Sequence, residues 1–197
     1  MLSQILTILM RVLVGAQPRW IGCRPSHALR IYYANHTSHF DTLALWSALP
    51  PRLRGSTRAV AAKDYWGSGP RAWLATRGFN ALFIDRGGDP REGDPLAPLD
   101  AALHRRESLI LFPEGTRRPQ ALPGAFKSGL FHLATRHPEA ELVPVYLDNL
   151  WRSMPKGTYL PVPLTCLVRF GTPLSIAEGE EKAAFLERAR AAIVELA

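Results

Sequence analysis

The sequence contains little cysteine, and it lacks an apolar run long enough to cross a bilayer. Its 197 residues include two cysteines, Cys23 and Cys166, which are too few and too far apart for a disulfide framework or a zinc ribbon. A membrane span needs roughly 18–20 consecutive apolar residues, and no segment reaches that length. These absences favour a reduced protein that faces the cytosol.

The most apolar segment is the N-terminus, where Arg11 interrupts a helical pattern of hydrophobic residues. We predict that residues 1–17 form an amphipathic helix in a membrane interface, and that Pro18 ends it. Packing of this helix on the core is the alternative. A secretory signal peptide carries its positive charge before the apolar stretch, and here the charge comes after it. We therefore expect a peripheral or monotopic protein on the cytoplasmic face of the inner or cell membrane.

Basic residues exceed acidic ones by 24 to 17, and the formal net charge is +7. This excess favours an anionic partner such as anionic lipid, an acidic protein or nucleic acid. No run of basic residues is longer than two, and the sequence has neither an aromatic-stacking motif nor a zinc-finger pattern. Nucleic acid is therefore not expected as a partner. Codon bias is the alternative explanation for a composition with 20 arginines and four lysines.

Short apolar segments alternate with segments of helical pattern along the chain. This alternation predicts one α/β domain over residues 1–197, with a mostly buried mixed sheet flanked by helices. Residues 86–95 are rich in glycine, proline and aspartate, and they are predicted to be a mobile loop. Strands are predicted at 29–34, 60–62, 81–85, 108–112, 141–147 and 164–170. Helices are predicted at 41–49, within 65–78, and at 96–106, 126–136 and 178–196.

A polar motif, NHTSHFD at residues 35–41, stands where the first of these strands meets a helix. A histidine can act as a general base when a carboxylate on its other ring nitrogen fixes the tautomer. On a continuous helix His36 and Asp41 would point about 140° apart. At a loop-to-helix junction, however, the loop can fold His36 back onto Asp41. The motif therefore makes His36 and Asp41 candidate catalytic residues.

Two other interpretations of this motif are open. Ser38 as the N-cap and Asp41 three residues later match a capping box, which needs no catalysis. His36, His39 and Asp41 also have the side-chain types that ligate metals, but no fourth ligand is evident, so no metal is expected. In the preferred interpretation His39 is a structural or capping residue near the site.

A second polar motif, FPEGTRR at residues 112–118, follows a strongly apolar predicted strand. Ligands commonly bind at strand ends in α/β sheets. Gly115 permits a close backbone approach, Thr116 offers a hydroxyl group, and the planar guanidinium of Arg117 suits a phosphate. A polar turn with solvated arginines is the alternative.

The order of these motifs resembles the glycerolipid acyltransferases of the lysophosphatidic acid acyltransferase (PlsC-like) family. Between and after them, FIDR at 83–86 is similar to the family's second block, and VPV at 143–145 to its fourth. FKSG at 126–129 is similar to a segment often found after the third block. The resemblance covers about residues 30–150. Asn80 departs from the glycine usual in the family, but asparagine also tolerates the left-handed backbone conformation.

The resemblance implies a glycerol-3-phosphate acyltransferase-like fold and a defined reaction. A fatty acyl group would pass from acyl-CoA or acyl carrier protein to the free hydroxyl of lysophosphatidic acid, giving phosphatidic acid in phospholipid biosynthesis. His36 would be the general base and Asp41 would orient it, with no covalent acyl-enzyme and no cofactor besides the thioester co-substrate. By similarity, the acceptor site is formed by Arg86, Glu114, Gly115, Thr116 and Arg117, with Arg117 on the phosphate and with Lys63 and Lys127 as further candidates.

Three points are left open by the resemblance. Backbone N–H groups near the start of the helix at 41–49 are expected to stabilise the oxyanion. The acceptor could instead be a different lysophospholipid or an amino-lipid. A non-catalytic lipid-binding protein with the same fold is the alternative from another class, although the intact His36, Asp41 and Glu114 argue against it.

Overall fold

A seven-stranded mixed sheet forms the centre of the computed structural model, which describes residues 8, 15–63, 68–85, 93–153 and 164–197. Its strands are β1 Gln17–Trp20, β2 Arg30–Ala34, β3 Thr57–Ala62, β4 Ala81–Ile84, β5 Ser108–Leu111, β6 Glu141–Leu147 and β7 Leu167–Phe170. They lie in the order β1-β7-β6-β2-β5-β3-β4. The five strands from β6 to β4 run parallel, whereas β7 is antiparallel to β6 and β1 is parallel to β7.

Helices of the described residues connect these strands and cover the sheet. They are α1 Asp41–Ala48, α2 Pro51–Arg54, α3 Gly69–Phe79, α4 Ala97–His104, α5 Gly129–Arg136, α6 Leu150–Ser153 and α7 Lys182–Val194. The hydrophobic pattern predicts α1, α3, α4, α5 and α7 within a few residues. It does not predict the one-turn helices α2 and α6, which are too short to show a helical period.

Both faces of the sheet are buried, because side chains alternate along its central strands. Tyr32 and Ala34 of β2 face a core to which α1 contributes Leu45 and α3 contributes Phe79. Tyr33 faces the opposite core, which is formed with α4, α5 and α7. Strands buried on both faces are typical of parallel sheets covered by helices. The predicted α/β fold with a mostly buried mixed sheet is confirmed.

The structure corrects the prediction for residues 15–20. The N-terminal helix was expected over residues 1–17, of which 1–7 and 9–14 lie outside the described residues. Gln17 begins β1 and so does not end a helix. Pro18 has no N–H to donate, and the sheet tolerates it because β1, among the described strands, lies at the sheet edge and pairs with β7 alone. Among the described residues, no helix is both long and apolar enough to cross a membrane.

The start of α5 also differs from the prediction. The backbone N–H of Lys127 donates to the carbonyl of Pro113 at 2.8 Å, which holds this residue in a loop against the second motif. The helix therefore begins at Gly129, and Lys127 does not lie in its first turn as predicted. Of the predicted loop at 86–95, residues 86–92 lie outside the described residues.

Asn80 ends α3 in the left-handed conformation, with φ 57° and ψ 43°. Its side-chain amide donates to the carbonyls of Gly55 and Thr57 at 3.3 and 3.2 Å. Asn80 thus adopts the left-handed conformation that asparagine was expected to tolerate, and its amide also ties the end of α3 to the start of β3.

Candidate active site

The candidate site lies at the carboxyl edge of the sheet, where β2 and β5 pair side by side. His36 follows β2 and Phe112 follows β5, so the parallel pairing brings the two polar motifs together at the edge where α/β sheets bind ligands. The rings of His36 and Phe112 stack with their centroids 4.3 Å apart. The apolar ring fixes one face of the imidazole.

The imidazole of His36 contacts the carboxylate of Asp41, with 2.9 Å between Nδ1 and Oδ2. The intervening loop turns back, so Asp41 in the first turn of α1 reaches the histidine ring. The same Oδ2 accepts hydrogen bonds from the backbone N–H groups of Thr37 and Ser38, at 2.5 and 2.8 Å. Asp41 is completely buried, so these three donors to Oδ2 replace part of its solvation by water, whereas Oδ1 has no hydrogen-bond partner among the described residues.

These contacts assign the tautomer of His36. An ionised carboxylate is only an acceptor, so the Nδ1 atom facing Asp41 carries the proton and donates it. The Nε2 atom then keeps its lone pair, and the side chain is 20% exposed, so a bound molecule can approach it. This arrangement allows His36 to take a proton from a hydroxyl group in the cleft.

Only half of the alternative capping box is present. Asp41 accepts from the backbone N–H of Ser38, but the N-cap of α1 is Phe40, and no side chain caps the first turn. The Ser38 hydroxyl instead accepts from the Phe40 N–H at 3.3 Å. The N–H groups of Thr37 and Ser38 are engaged by Asp41, whereas the expectation of oxyanion donors near this helix start names no particular residue and stays a prediction.

Asn35 belongs to the first motif, but its role was not predicted. Its buried side chain accepts from the Leu147 N–H at 2.7 Å, and it donates to the carbonyls of Leu147 and Ala121, each at 3.2 Å. These bonds hold the end of β2 against β6 and against the loop that follows the second motif. The sequence feature that points to Asn35 is its place directly before His36.

A small polar cleft of about 180 Å³ opens beside His36. Its polar lining residues are His36, His39, Thr42, Thr116 and Arg117. No carboxylate lines it within the part of the chain that the structure describes, so Arg117 gives the cleft a positive charge. An anionic group is therefore the ligand that this cleft favours.

A larger cleft of about 490 Å³ adjoins the first. Its walls are mainly apolar and come from β5, α4 and α5, including Leu99, Leu111, Leu130 and Leu133. Residues Ile84, Leu111, Phe112 and Gly115 line both clefts, so the two lie side by side. Together they can hold a molecule with one anionic and one apolar part.

Glu114 joins the two motifs without lining either cleft. It is 5% exposed, and its two carboxylate oxygens accept from the backbone N–H groups of His36 and Gly124, each at 2.9 Å. The guanidinium of Arg118 lies 3.9 Å away and balances the buried charge. Glu114 therefore shapes the site by holding the backbone of His36, and its contact with a bound acceptor stays a prediction.

Gly115 lies between the two clefts in a conformation that favours glycine. Its φ is +70°, and a Cβ there would stand 2.7 Å from Cε of Lys127. The side chain of Lys127 therefore crosses directly over Gly115, and it lines the larger cleft. This close approach places a second cation at the border between the polar and apolar spaces.

The structure brings only some of the predicted binding residues together. Thr116 is exposed and Arg117 is half-buried, and both line the small cleft. Lys63 is exposed just beyond β3 and lines neither cleft. Arg86 lies outside the described residues. Of the predicted binding cations, Arg117 and Lys127 are thus the ones that the structure places at the clefts.

The alternative metal site is not formed by the first motif. Nδ1 of His36 is engaged by Asp41, whereas Nδ1 of His39 contacts the guanidinium of Arg117, a cation that would repel a metal ion. Within the described ranges, no group of three or more His, Cys, Asp and Glu side chains could hold a metal ion. His39 lines the cleft, and the N-cap of α1 is Phe40, so the structure favours the structural over the capping role among the two predicted for His39.

The fold and the paired motifs define a class of protein, and comparison with known families identifies it. The sequence model of the family described as Acyltransferase matches residues 24–148, which contain both motifs. This chain belongs to the acyltransferase family, as the order of its motifs predicts.

Several members of the family are similar to this chain. The human 1-acyl-sn-glycerol-3-phosphate acyltransferase alpha is 29% identical over 126 residues, 60% of this chain and 40% of the relative. A 1-acyl-sn-glycerol-3-phosphate acyltransferase from Cocos nucifera is 27% identical over 169 residues, 82% of this chain and 51% of the relative. Taffazin from Dictyostelium discoideum is 30% identical over 162 residues, with coverages of 76% and 53%. The chain thus spans about half the length of these relatives or less.

A solved structure shares the fold. The 1-acyl-sn-glycerophosphate (LPA) acyltransferase PlsC from Thermotoga maritima matches with a TM-score of 0.70 and 18% sequence identity. The match covers 92% of this chain and 71% of that one. The two chains therefore share the same fold.

Proposed function

We propose that the protein transfers a fatty acyl group from a thioester donor to the free hydroxyl of lysophosphatidic acid, giving phosphatidic acid. The observation that carries this proposal is the contact between His36 and Asp41 beside a cleft that also holds Arg117. A general base and a phosphate-binding cation in one cleft are the two groups that this reaction needs.

In the proposed reaction, Nε2 of His36 takes the proton from the acceptor hydroxyl. The oxygen then attacks the thioester carbonyl, the C–S bond breaks, and the thiolate leaves. Asp41 holds the tautomer of His36 and stabilises the imidazolium that forms. The thiolate is a good leaving group, so no covalent acyl-enzyme is needed. Binding the two substrates in register supplies a further part of the rate enhancement.

The acceptor phosphate would bind in the small cleft, where the guanidinium fork of Arg117 suits two phosphate oxygens. Thr116 lines the same cleft and offers a hydroxyl group. Arg86 is proposed for the same role on the resemblance of its motif alone. Lys127 is placed at the border of the two clefts and adds positive charge there, whereas Lys63 is exposed outside both, which gives it less support.

The apolar walls of the larger cleft support a place for an acyl chain, because burial of each methylene contributes about 0.8 kcal/mol. Acyl-CoA and acyl carrier protein are both donors of the required chemistry, and both are anionic. The proposed partners are therefore a lysophospholipid, one of these thioesters and a membrane surface, and no metal or other cofactor has a step in the reaction. The proposed location is the cytoplasmic face of the inner or cell membrane.

A donor and acceptor matrix tests this proposal. The purified protein is incubated with acyl-CoA or acyl carrier protein as donor, and with lysophosphatidic acid, lysophosphatidylcholine, an amino-lipid or a monoacylglycerol as acceptor. We expect phosphatidic acid to be the main product. Preference for a phosphate-free acceptor would exclude lysophosphatidic acid as the substrate, and lipid binding without transfer from either donor would indicate a non-catalytic protein.

A further inference from the structure

His39 and Arg117 meet in the small cleft, although they belong to different motifs. Nδ1 of His39 is in contact with Nη1 of Arg117. His39 lies in the turn before α1, Arg117 lies in the loop after β5, and both side chains line the cleft beside His36. The residue next to the catalytic dyad is thus joined to the cation proposed to bind phosphate.

The chemistry of the two groups fixes the direction of this hydrogen bond. A guanidinium has donors and no acceptor, so Nδ1 of His39 must accept and must carry no proton. The ring proton of neutral His39 is then on Nε2. His36 has the opposite arrangement, with its proton on Nδ1 and its lone pair on Nε2. His36 can therefore accept a proton from a bound substrate, whereas His39 accepts a hydrogen bond from Arg117.

The backbone beside Arg117 is also fixed relative to His36. The N–H of Arg118 donates to the carbonyl of His36 at 2.8 Å, and the N–H of His36 donates to Glu114 at 2.9 Å. These bonds place the loop, and the long side chain of an arginine has many possible rotamers. The contact with His39 selects among those rotamers, so less conformational entropy is lost when an anion binds.

We propose that His39 is a positioning residue that orients the guanidinium of Arg117 toward the acceptor phosphate. This inference rests on the proposed function, because it takes Arg117 as the phosphate-binding group. In this inference His39 affects acceptor binding only when the acceptor carries a phosphate, and it does so by orienting Arg117. His39 takes no part in the proton transfer.

Four variants test this role. His39→Leu removes the acceptor, His39→Asn retains an acceptor atom near the position of Nδ1, and His39→Gln moves the acceptor outward. Arg117→Ala is combined with His39→Leu in a double-mutant cycle. KM and kcat are measured with lysophosphatidic acid and with a phosphate-free monoacylglycerol, and thermal unfolding and circular dichroism report the fold of each variant.

We expect His39→Leu to raise the KM for lysophosphatidic acid about three- to tenfold, with kcat changed less than about twofold. His39→Asn should restore KM more fully than His39→Gln, and this comparison decides the question if His39→Leu does not fold. In the Arg117→Ala variant, His39→Leu should not raise the KM for lysophosphatidic acid any further. An unchanged KM in folded His39→Leu would overturn the role of His39. So would an equal rise in KM when His39→Leu is introduced into the Arg117→Ala variant. Absence of acyl transfer in the wild-type protein would instead overturn the proposed function.

Discussion

The backbone N–H of His36 donates to Oε1 of Glu114 at 2.9 Å, so a carboxylate of the second motif fixes the position of the first. The other oxygen of Glu114 accepts from the Gly124 N–H at the same distance. A single buried side chain thus holds the turn at His36 and both ends of the loop that carries Arg117. The geometry of the proposed active site depends on this buried acceptor even though Glu114 lines neither cleft.

Glu114→Gln should therefore lower both stability and activity. The NH2 group of glutamine would face the backbone N–H of either His36 or Gly124. Because both groups are donors, that buried N–H loses its acceptor. We expect the free energy of unfolding to fall by about 1–3 kcal/mol and kcat to fall about 10- to 100-fold. Urea denaturation and steady-state assays measure the two effects. Glu195→Gln, a change at an exposed residue, is the control, and equal behaviour of the two variants would exclude a scaffold role for Glu114.

Gly115→Ala should reduce activity more than its backbone strain explains. With φ at +70°, an alanine costs about 1–2 kcal/mol of stability, and its Cβ also pushes the side chain of Lys127 away from the cleft border. Gly179 has φ +71° and open space around it, so Gly179→Ala is a control with matched backbone strain. Both variants should lose similar stability in urea, and only Gly115→Ala should lose acyl transfer. Equal acyl transfer by Gly115→Ala and Gly179→Ala would show that activity does not depend on the Lys127 side chain at the cleft border.

The two polar motifs and the alternating core pattern could be predicted from the sequence, because they depend on local spacing. The contact between His36 and Asp41 needs only a loop that folds back over five residues. The roles of Asn35 and His39 could not be predicted, since their partners Leu147 and Arg117 stand far away along the chain and meet them only through sheet pairing.

The secondary structure predicted from the sequence was also wrong for two residues, one at a sheet edge and one in a loop. Pro18 is typical of a helix end, and it instead lies in an edge strand because β7 pairs with it from one side only. Lys127 fits the helical pattern of the segment that follows it, but the hydrogen bond from its N–H to Pro113 keeps it in a loop. In both cases a tertiary contact outweighed the local preference.

Removal of residues 1–14 should abolish binding to anionic vesicles, since the apolar pattern that predicts an interfacial helix lies there. Ala16 is buried and Gln17 begins β1, so a longer deletion would damage the core. Vesicle sedimentation compares the truncated and full chains, and thermal unfolding shows that the fold is retained. If the folded truncation still sediments with vesicles, another surface binds the membrane.

Tyr33→Phe should preserve or raise stability. The hydroxyl of Tyr33 is buried and has no hydrogen-bond partner among the described residues, so its removal relieves a desolvation cost of about 1 kcal/mol. Burial also raises the pKa of the Tyr33 hydroxyl. The folded state then keeps a proton that the unfolded chain releases near pH 10, so stability is retained below that pH and falls as pH rises above it.

Urea denaturation at pH 7 and pH 11 measures both effects for wild-type and Tyr33→Phe proteins. The variant should be at least as stable at pH 7 and should lose less stability between the two pH values. A loss of more than about 1 kcal/mol at pH 7 would mean that the hydroxyl has a stabilising partner.

The most direct test of the proposed function measures the rate of thiol release from an acyl thioester, with lysophosphatidic acid as acceptor. The rate is compared among the wild-type, His36→Ala, Asp41→Asn and Asp148→Asn proteins. Asp148 pairs with Arg169 and lines neither cleft, so its variant is the matched control. The account predicts acceptor-dependent release by wild-type and Asp148→Asn proteins, and a decrease of about 10²–10⁴ in kcat for folded His36→Ala and Asp41→Asn. Undiminished release by folded His36→Ala would contradict it.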